Sequence, residues 1–138
     1  MARLNRAGLR TVLVTNQRWL AHPDARFADY AATHARLVEL LAEHGARLDA
    51  AYHCPHERGT CRCRKPGPGM LERAAVELGV DLGRSVIIGD AGSDLAAGRA
   101  AGVGTVLIEG SAASHRNADL VVPDLRRGVQ RLLAPAWT

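Results

Sequence analysis

The chain has 138 residues, enough for one domain with a buried core. Its 47% apolar content fits a globular protein, and no run of 18 apolar residues offers a membrane span. The net charge of +4 is spread along the chain, aromatics make up only 4%, and there is neither a basic stripe nor C2H2 spacing, so nucleic acid is not expected as a partner.

Met1 to Arg10 contains no apolar h-region, so no signal peptide is expected. Leu4 among Arg and Asn reads as the end of a helix over residues 2–8, with Gly8 as its stop. Arg10 to Thr15 reads as a strand. Its run Thr11-Val12-Leu13-Val14-Thr15 is apolar or β-branched throughout, which suits a strand covered on both faces of a parallel sheet. It ends in Thr15-Asn16-Gln17, three hydrogen-bonding side chains in a row. In open α/β sheets, ligands sit outside the carboxyl ends of strands.

Residues 18–26 read as a loop with Pro23 and Asp24. Ala28 to His44 follows as a helix with Leu37, Leu40, Leu41 and His44 on one stripe, and Gly45 stops it. Ala50 to His53 is a short strand that delivers the chain to Cys54.

Cys54, His56, Cys61 and Cys63 then fall within ten residues as C-x-H-x4-C-x-C, and they include all three cysteines. Zn²⁺ takes thiolate and imidazole ligands in a tetrahedron, and a closed structural site uses four. Pro55 and Gly59 suit a chain that folds back on one point. The alternative is one buried and two loop cysteines with no metal. Three cysteines gathered in one metal-type cluster point to a reducing, cytoplasmic location and away from a disulfide framework. Arg64 and Lys65 follow directly, which puts two cations beside the cluster.

After Pro66-Gly67-Pro68-Gly69, a helix is expected over Met70 to Leu78, ended by Gly79. Ser85 to Gly89 is a second buried strand, and it runs into Asp90-Ala91-Gly92-Ser93-Asp94. Ser93 is the expected N-cap of a helix from Asp94 to Ala101, whose small residues suggest close packing on a sheet. Gly104 to Ile108 and Leu120 to Val122 complete the strands, and Asp124 caps a terminal helix over Leu125 to Leu133. Repeated β-then-α units make the class α/β with a parallel sheet.

Thr15 offers a hydroxyl, Lys65 a point positive charge, and Asp90 and Asp94 two carboxylates one turn apart. An anion held by hydroxyl and ammonium beside a hard cation held by carboxylate describes a phosphate with Mg²⁺. Each residue also has a purely structural reading. Thr15 then caps a strand end, Lys65 is a solvated lysine, and Asp94 is a first-turn acid favoured by the helix dipole. His34, His44, His53 and His115 read as structural or surface residues, with His53 the one substitute metal ligand.

These stretches resemble the haloacid-dehalogenase-like hydrolases, and among them the heptose-bisphosphate and histidinol-phosphate phosphatases. The matching residues are Val12-Leu13-Val14-Thr15-Asn16-Gln17, Tyr52-His53-Cys54-Pro55-His56, Cys61-Arg62-Cys63-Arg64-Lys65-Pro66 with Pro68-Gly69-Met70, and Val86-Ile87-Ile88-Gly89-Asp90 with Asp94, within residues 2–122. The resemblance implies a Rossmann-like three-layer fold in a single domain over residues 1–138, incomplete at its N-terminus, with a zinc loop at 54–63. It implies hydrolysis of a phosphate ester, either D-glycero-D-manno-heptose 1,7-bisphosphate or histidinol phosphate, through an aspartyl-phosphate.

Residue by residue, the resemblance makes Thr15 the hydrogen-bond donor to the phosphoryl group and Lys65 the cation that neutralises phosphate and nucleophile. Asp90 becomes the Mg²⁺ ligand, supported by Asp94. Cys54, His56, Cys61 and Cys63 become the zinc ligands. Arg64, Asn16 and Gln17 become substrate contacts.

The resemblance also marks departures. The family's Asp-x-Asp-Gly-Thr strand precedes the Thr15 strand, but none of the fourteen residues before Thr15 is Asp. The chain as written is therefore expected to be inactive, or to be a zinc-stapled domain that binds a phosphorylated ligand or a protein. A second chain is another source of the missing strand. Where the family has Ser-Gly after Asn-Gln, this chain has Arg18-Trp19. Without the central strand, residues 11–15 and 86–89 are expected either to sit apart or to close up and pair directly.

Overall fold

The computed structural model describes residues 1–110 and 117–135, so His115 lies outside the described residues. Contacts divide the chain into two compact units, Met1–Cys61 and Arg62–Thr138.

In the first unit, α1 (Ala2–Arg6) leads to β1 (Val12–Asn16), a 3-10 turn (Arg18–Ala21), α2 (Phe27–Glu43) and β2 (Ala50–Cys54). β1 and β2 are parallel, with Val12 opposite Ala50 and Asn16 opposite Cys54, and α2 is the crossover that parallel strands require. Both strands run one residue further than expected, so Cys54 is itself a strand residue. Residues 18–26, expected as a loop, begin with the 3-10 turn. Leu20 N–H donates to Gln17 O at 3.0 Å and His22 N–H to Trp19 O at 3.1 Å, both i→i+3 closures.

The strand starts are locked by polar groups. Thr11 is buried. Its N–H donates to Asp49 Oδ2 at 2.7 Å and its hydroxyl to Arg47 O at 2.7 Å. Asp49 N–H returns a bond to Thr11 O at 2.8 Å. Asn5 of α1 joins them, donating to Thr11 Oγ1 at 3.0 Å and accepting from Arg47 N–H at 3.0 Å.

None of the 17 residues of α2 is buried, and Leu40 of its apolar stripe is 41% exposed. A helix about 10 Å across is wider than two strands about 4.8 Å apart, so a two-stranded sheet covers only part of its face. α2 packs there through Tyr30, whose ring centroid lies 4.5 Å from that of His53 on β2.

The second unit contains α3 (Gly69–Leu78), a 3-10 turn (Leu82–Arg84), β3 (Val86–Gly89), α4 (Gly92–Ala101), β4 (Gly104–Ile108), β5 (Leu120–Val122) and α5 (Leu125–Leu132). Its sheet is parallel in the order β3-β4-β5, with Val86 opposite Gly104 and Val106 opposite Leu120. β4 is central, and Thr105, Val106 and Leu107 are fully buried. The small residues of α4 do pack closely. A Cβ on Gly98 would collide with Ile87 of β3 and Thr105 of β4. Asp124 caps α5 as expected, accepting Arg127 N–H at 2.7 Å.

One expectation needs correction. The N-cap of α4 is Ala91, and Ser93 already lies within the helix. The capping oxygen comes from Asp94, whose Oδ2 accepts Ala91 N–H at 3.1 Å. Both units are α/β with parallel strands, as the sequence indicates.

Candidate functional site

β2 ends at Cys54, which is 0% exposed, and the next nine residues turn back on it. Gly59 takes φ +77°, a left-handed conformation that the return inside the four-residue spacer needs. Thr60 Oγ1 donates to Glu57 O at 2.9 Å and holds that turn. Cys54 Sγ lies 3.5 Å from His56 Nδ1 and 3.5 Å from Cys61 Sγ. One ligand atom from each of Cys54, His56, Cys61 and Cys63 falls within 4.8 Å of the others, and all three cysteines are free of disulfides. A tetrahedral thiolate–imidazole centre has S···S edges of about 3.8 Å and S···N edges of about 3.6 Å, given its bond lengths. The two edges of 3.5 Å lie within about 0.3 Å of those values, so the loop can hold a metal ion. His53, the substitute ligand, is not in this group, and its ring packs against Tyr30 and Phe27.

The loop stays folded as it runs on. A Cβ at Gly67 or Gly69 would strike the Arg62 carbonyl, and Gly69 N–H donates to that carbonyl at 3.2 Å. This close approach explains the glycines between Lys65 and α3. Arg64 is half-buried.

Lys65 is the only lysine among 18 basic residues, the rest being arginine. Its Nζ lies 2.6 Å from Asp94 Oδ1, with the two side chains 13% and 8% exposed. Asp94 therefore serves two donors, Lys65 on one oxygen and Ala91 N–H on the other. Gly89 makes room for it, since a Cβ there would overlap the Asp94 carboxylate. Asp90, just past the carboxyl end of β3, is exposed, and its carboxylate makes no hydrogen bond or ion pair with any of the described residues. A compact ammonium fits a narrow buried pairing that a forked guanidinium does not.

In the first unit, Thr15 is the fourth residue of β1, opposite His53. Asn16 lies opposite Cys54, and Gln17 N–H donates to Cys54 O at 2.8 Å, which ties the end of β1 to the start of the metal loop. Arg18 reaches Glu57 of that loop at 3.5 Å. Thr15, Gln17 and Trp19 line a cavity of about 220 Å³ with Tyr30, His34 and Leu37. Desolvation in this region raises the Tyr30 phenol above its ordinary value.

The sequence reading missed three arrangements. Trp19 Nε1–H donates to Gln17 Oε1 at 2.6 Å, Lys65 pairs directly with Asp94, and the Thr11–Asp49 lock recurs as Thr105–Asp119. The last carried a signal in the sequence, an Asp just before each of β2 and β5.

The HAD-hydrolase-like family model matches residues 62–127. The structure of a D,D-heptose 1,7-bisphosphate phosphatase from B. bronchiseptica, complexed with magnesium and phosphate, superposes with a TM-score of 0.86 at 33% identity. That match covers 96% of this chain and 78% of that one.

The chain belongs to the haloacid-dehalogenase-like hydrolases.

Two further relatives of this HAD-like chain are named D-glycero-β-D-manno-heptose-1,7-bisphosphate 7-phosphatase. The one from Pseudomonas aeruginosa is 41% identical over 110 residues, covering 79% of this chain and 62% of its own length. The one from Mesorhizobium japonicum is 40% identical over 122 residues, covering 82% and 56%. The chain thus spans about three fifths of the length of the curated relatives it matches. No helix among the described residues is long and apolar enough to cross a membrane.

Proposed function

We propose that this chain is a phosphatase-family domain for a small sugar phosphate, with a heptose 1,7-bisphosphate as substrate and histidinol phosphate as the alternative. The observation that carries this reading is the metal-type loop running directly into the chain's only lysine, which is paired with a buried carboxylate. The relatives with that name support the choice of sugar.

In this reading Thr15 donates to a phosphoryl oxygen, and Lys65, held by Asp94, neutralises phosphate charge. Arg64, Asn16 and Gln17 contact the substrate. Asp90 holds Mg²⁺, and its exposed carboxylate, unengaged among the described residues, suits that part. Asp94 serves only in support, because both its oxygens are engaged. Bound Mg²⁺ supplies charge stabilisation at a phosphoryl oxygen. Cys54, His56, Cys61 and Cys63 hold zinc, which staples the loop without taking part in the reaction.

These 138 residues, with no Asp before Thr15, bind phosphate but do not hydrolyse the ester. A second reading is a zinc-stapled domain that only binds a phosphorylated ligand or protein, which the four-ligand cluster favours. Calorimetric titration of heptose bisphosphate in the presence of Mg²⁺, beside a phosphate-release assay, tests both. Binding weakened by Asp90→Asn, without turnover by this chain, supports the proposal. Absence of binding to heptose bisphosphate and to histidinol phosphate refutes it, and Mg²⁺-dependent turnover refutes inactivity.

A further inference from the structure

We infer that Trp19 and Gln17 are positioning residues that aim the hydroxyl proton of Thr15 at a phosphate oxygen, an inference that rests on the phosphate-binding reading of Thr15. An indole N–H can only donate. With Trp19 Nε1 2.6 Å from it, the nearer amide atom of Gln17 must be the oxygen. That fixes the orientation of the amide, which a side-chain amide alone leaves ambiguous. Its nitrogen then faces Thr15 and donates to Oγ1 at 3.1 Å. A hydroxyl that accepts on one lone pair keeps its own proton for another acceptor. Thr15 donates that proton to none of the described residues.

The relay Trp19→Gln17→Thr15 therefore turns an ambivalent hydroxyl into a donor, the polarity an anion needs. The 3-10 turn at Arg18–Ala21 builds it, because Leu20 N–H to Gln17 O brings residue 19 back over residue 17. Chains with glycine at position 19 have no side chain with which to make it. In the relay Gln17 acts through Thr15, its oxygen on the indole N–H and one amide hydrogen on Thr15 Oγ1, which leaves its second amide hydrogen for the substrate contact.

The test uses the whole 138-residue chain, with inorganic phosphate as the probe and Mg²⁺ present. Trp19→Phe keeps an aromatic ring and removes only the donor. It should weaken phosphate binding several-fold, and Gln17→Glu, whose carboxylate draws the Thr15 proton inward, about tenfold or more, as loss of a bond to a charged group does. In a Thr15→Val background Trp19→Phe should have no further effect, whereas Thr15→Ser should keep both the affinity and the sensitivity to Trp19. Unchanged affinity in Trp19→Phe, or an equal loss in the Thr15→Val background, overturns the relay and leaves Thr15 as a phosphate contact. Unchanged affinity in Thr15→Val, or no phosphate binding by the unsubstituted chain, overturns the phosphate reading itself and the relay with it. The ¹H–¹⁵N spectrum gives an independent check. The Trp19 indole proton, identified by its loss in Trp19→Phe, should shift upfield in Gln17→Ala, and a proton indifferent to Gln17 overturns the relay.

Discussion

Lys65 Nζ and Asp94 Oδ1 form an ion pair of 2.6 Å across 29 residues of sequence, with both side chains largely buried. Two charges removed from water depend on each other, so removing one leaves the other uncompensated. Lys65→Met should destabilise the fold by about 3 kcal/mol, the low end for breaking a buried pair, because Asp94 keeps its bond from Ala91 N–H. Lys65→Met combined with Asp94→Leu should recover part of the loss, since a well-packed apolar pair is often as stable. Urea midpoints of the single and double variants measure both effects. An unchanged midpoint in Lys65→Met would show that the pair contributes nothing.

Gly89 is the second support of that pair. Gly89→Ala should cost about 1–3 kcal/mol, as overpacking does, because its Cβ displaces the Asp94 carboxylate. Gly92→Ala is the control three residues on. No atom lies within 4 Å of a Cβ there, and a helical glycine replaced by alanine gains up to about 1 kcal/mol. Thermal denaturation of the two variants should move in opposite directions.

The metal loop predicts one zinc per chain. Metal analysis of protein purified without a metal-affinity tag should give a stoichiometry near one. Chelation or Cys61→Ser should lower the melting temperature and loosen Arg64 and Lys65 to hydrogen exchange, because binding energy at such a site is folding energy. Zinc-free protein with unchanged melting would remove the staple from the account.

The two strand-start locks predict a particular response to acid. Asp49 lies below its ordinary value of 3.8, held there first by Thr11 N–H. Asp119 lies below the same value, held first by the Thr105 hydroxyl at 2.7 Å and then by Thr105 N–H at 2.7 Å. A carboxyl with a depressed folded-state pKa binds fewer protons folded than unfolded, so its stabilisation is complete above the unfolded value and drains as pH falls through the folded one. Stability should therefore hold down to about pH 4 and fall below it. In the double variant Asp49→Asn, Asp119→Asn, urea midpoints should be lower at pH 6 and should vary less between pH 4 and 2.5. An acid limb equally steep in that variant would place the lost protons elsewhere.

The sequence by itself determined the elements whose causes are local. The apolar runs at 12–15, 86–88 and 104–108 do form strands, though only β4 is buried along its middle and β1 holds no buried residue, and the glycines at 45 and 79 stop α2 and α3 with left-handed φ of 65° and 62°. The metal loop was legible for the same reason: four ligand-type side chains within ten residues can reach one point whatever surrounds them. Tertiary structure decided what depends on register and on turns. Lys65 meets Asp94 only because α3 and α4 bring residues 29 apart together, and Thr11 meets Asp49 only because β1 and β2 align in parallel with Val12 opposite Ala50. Trp19 stands two residues from Gln17, yet their bond depends on a 3-10 turn that Arg18-Trp19-Leu20-Ala21 does not announce. Spacing along a chain encodes reach. Which polar groups meet across the fold is settled by packing, since a buried donor or acceptor must find a partner wherever the backbone has placed it.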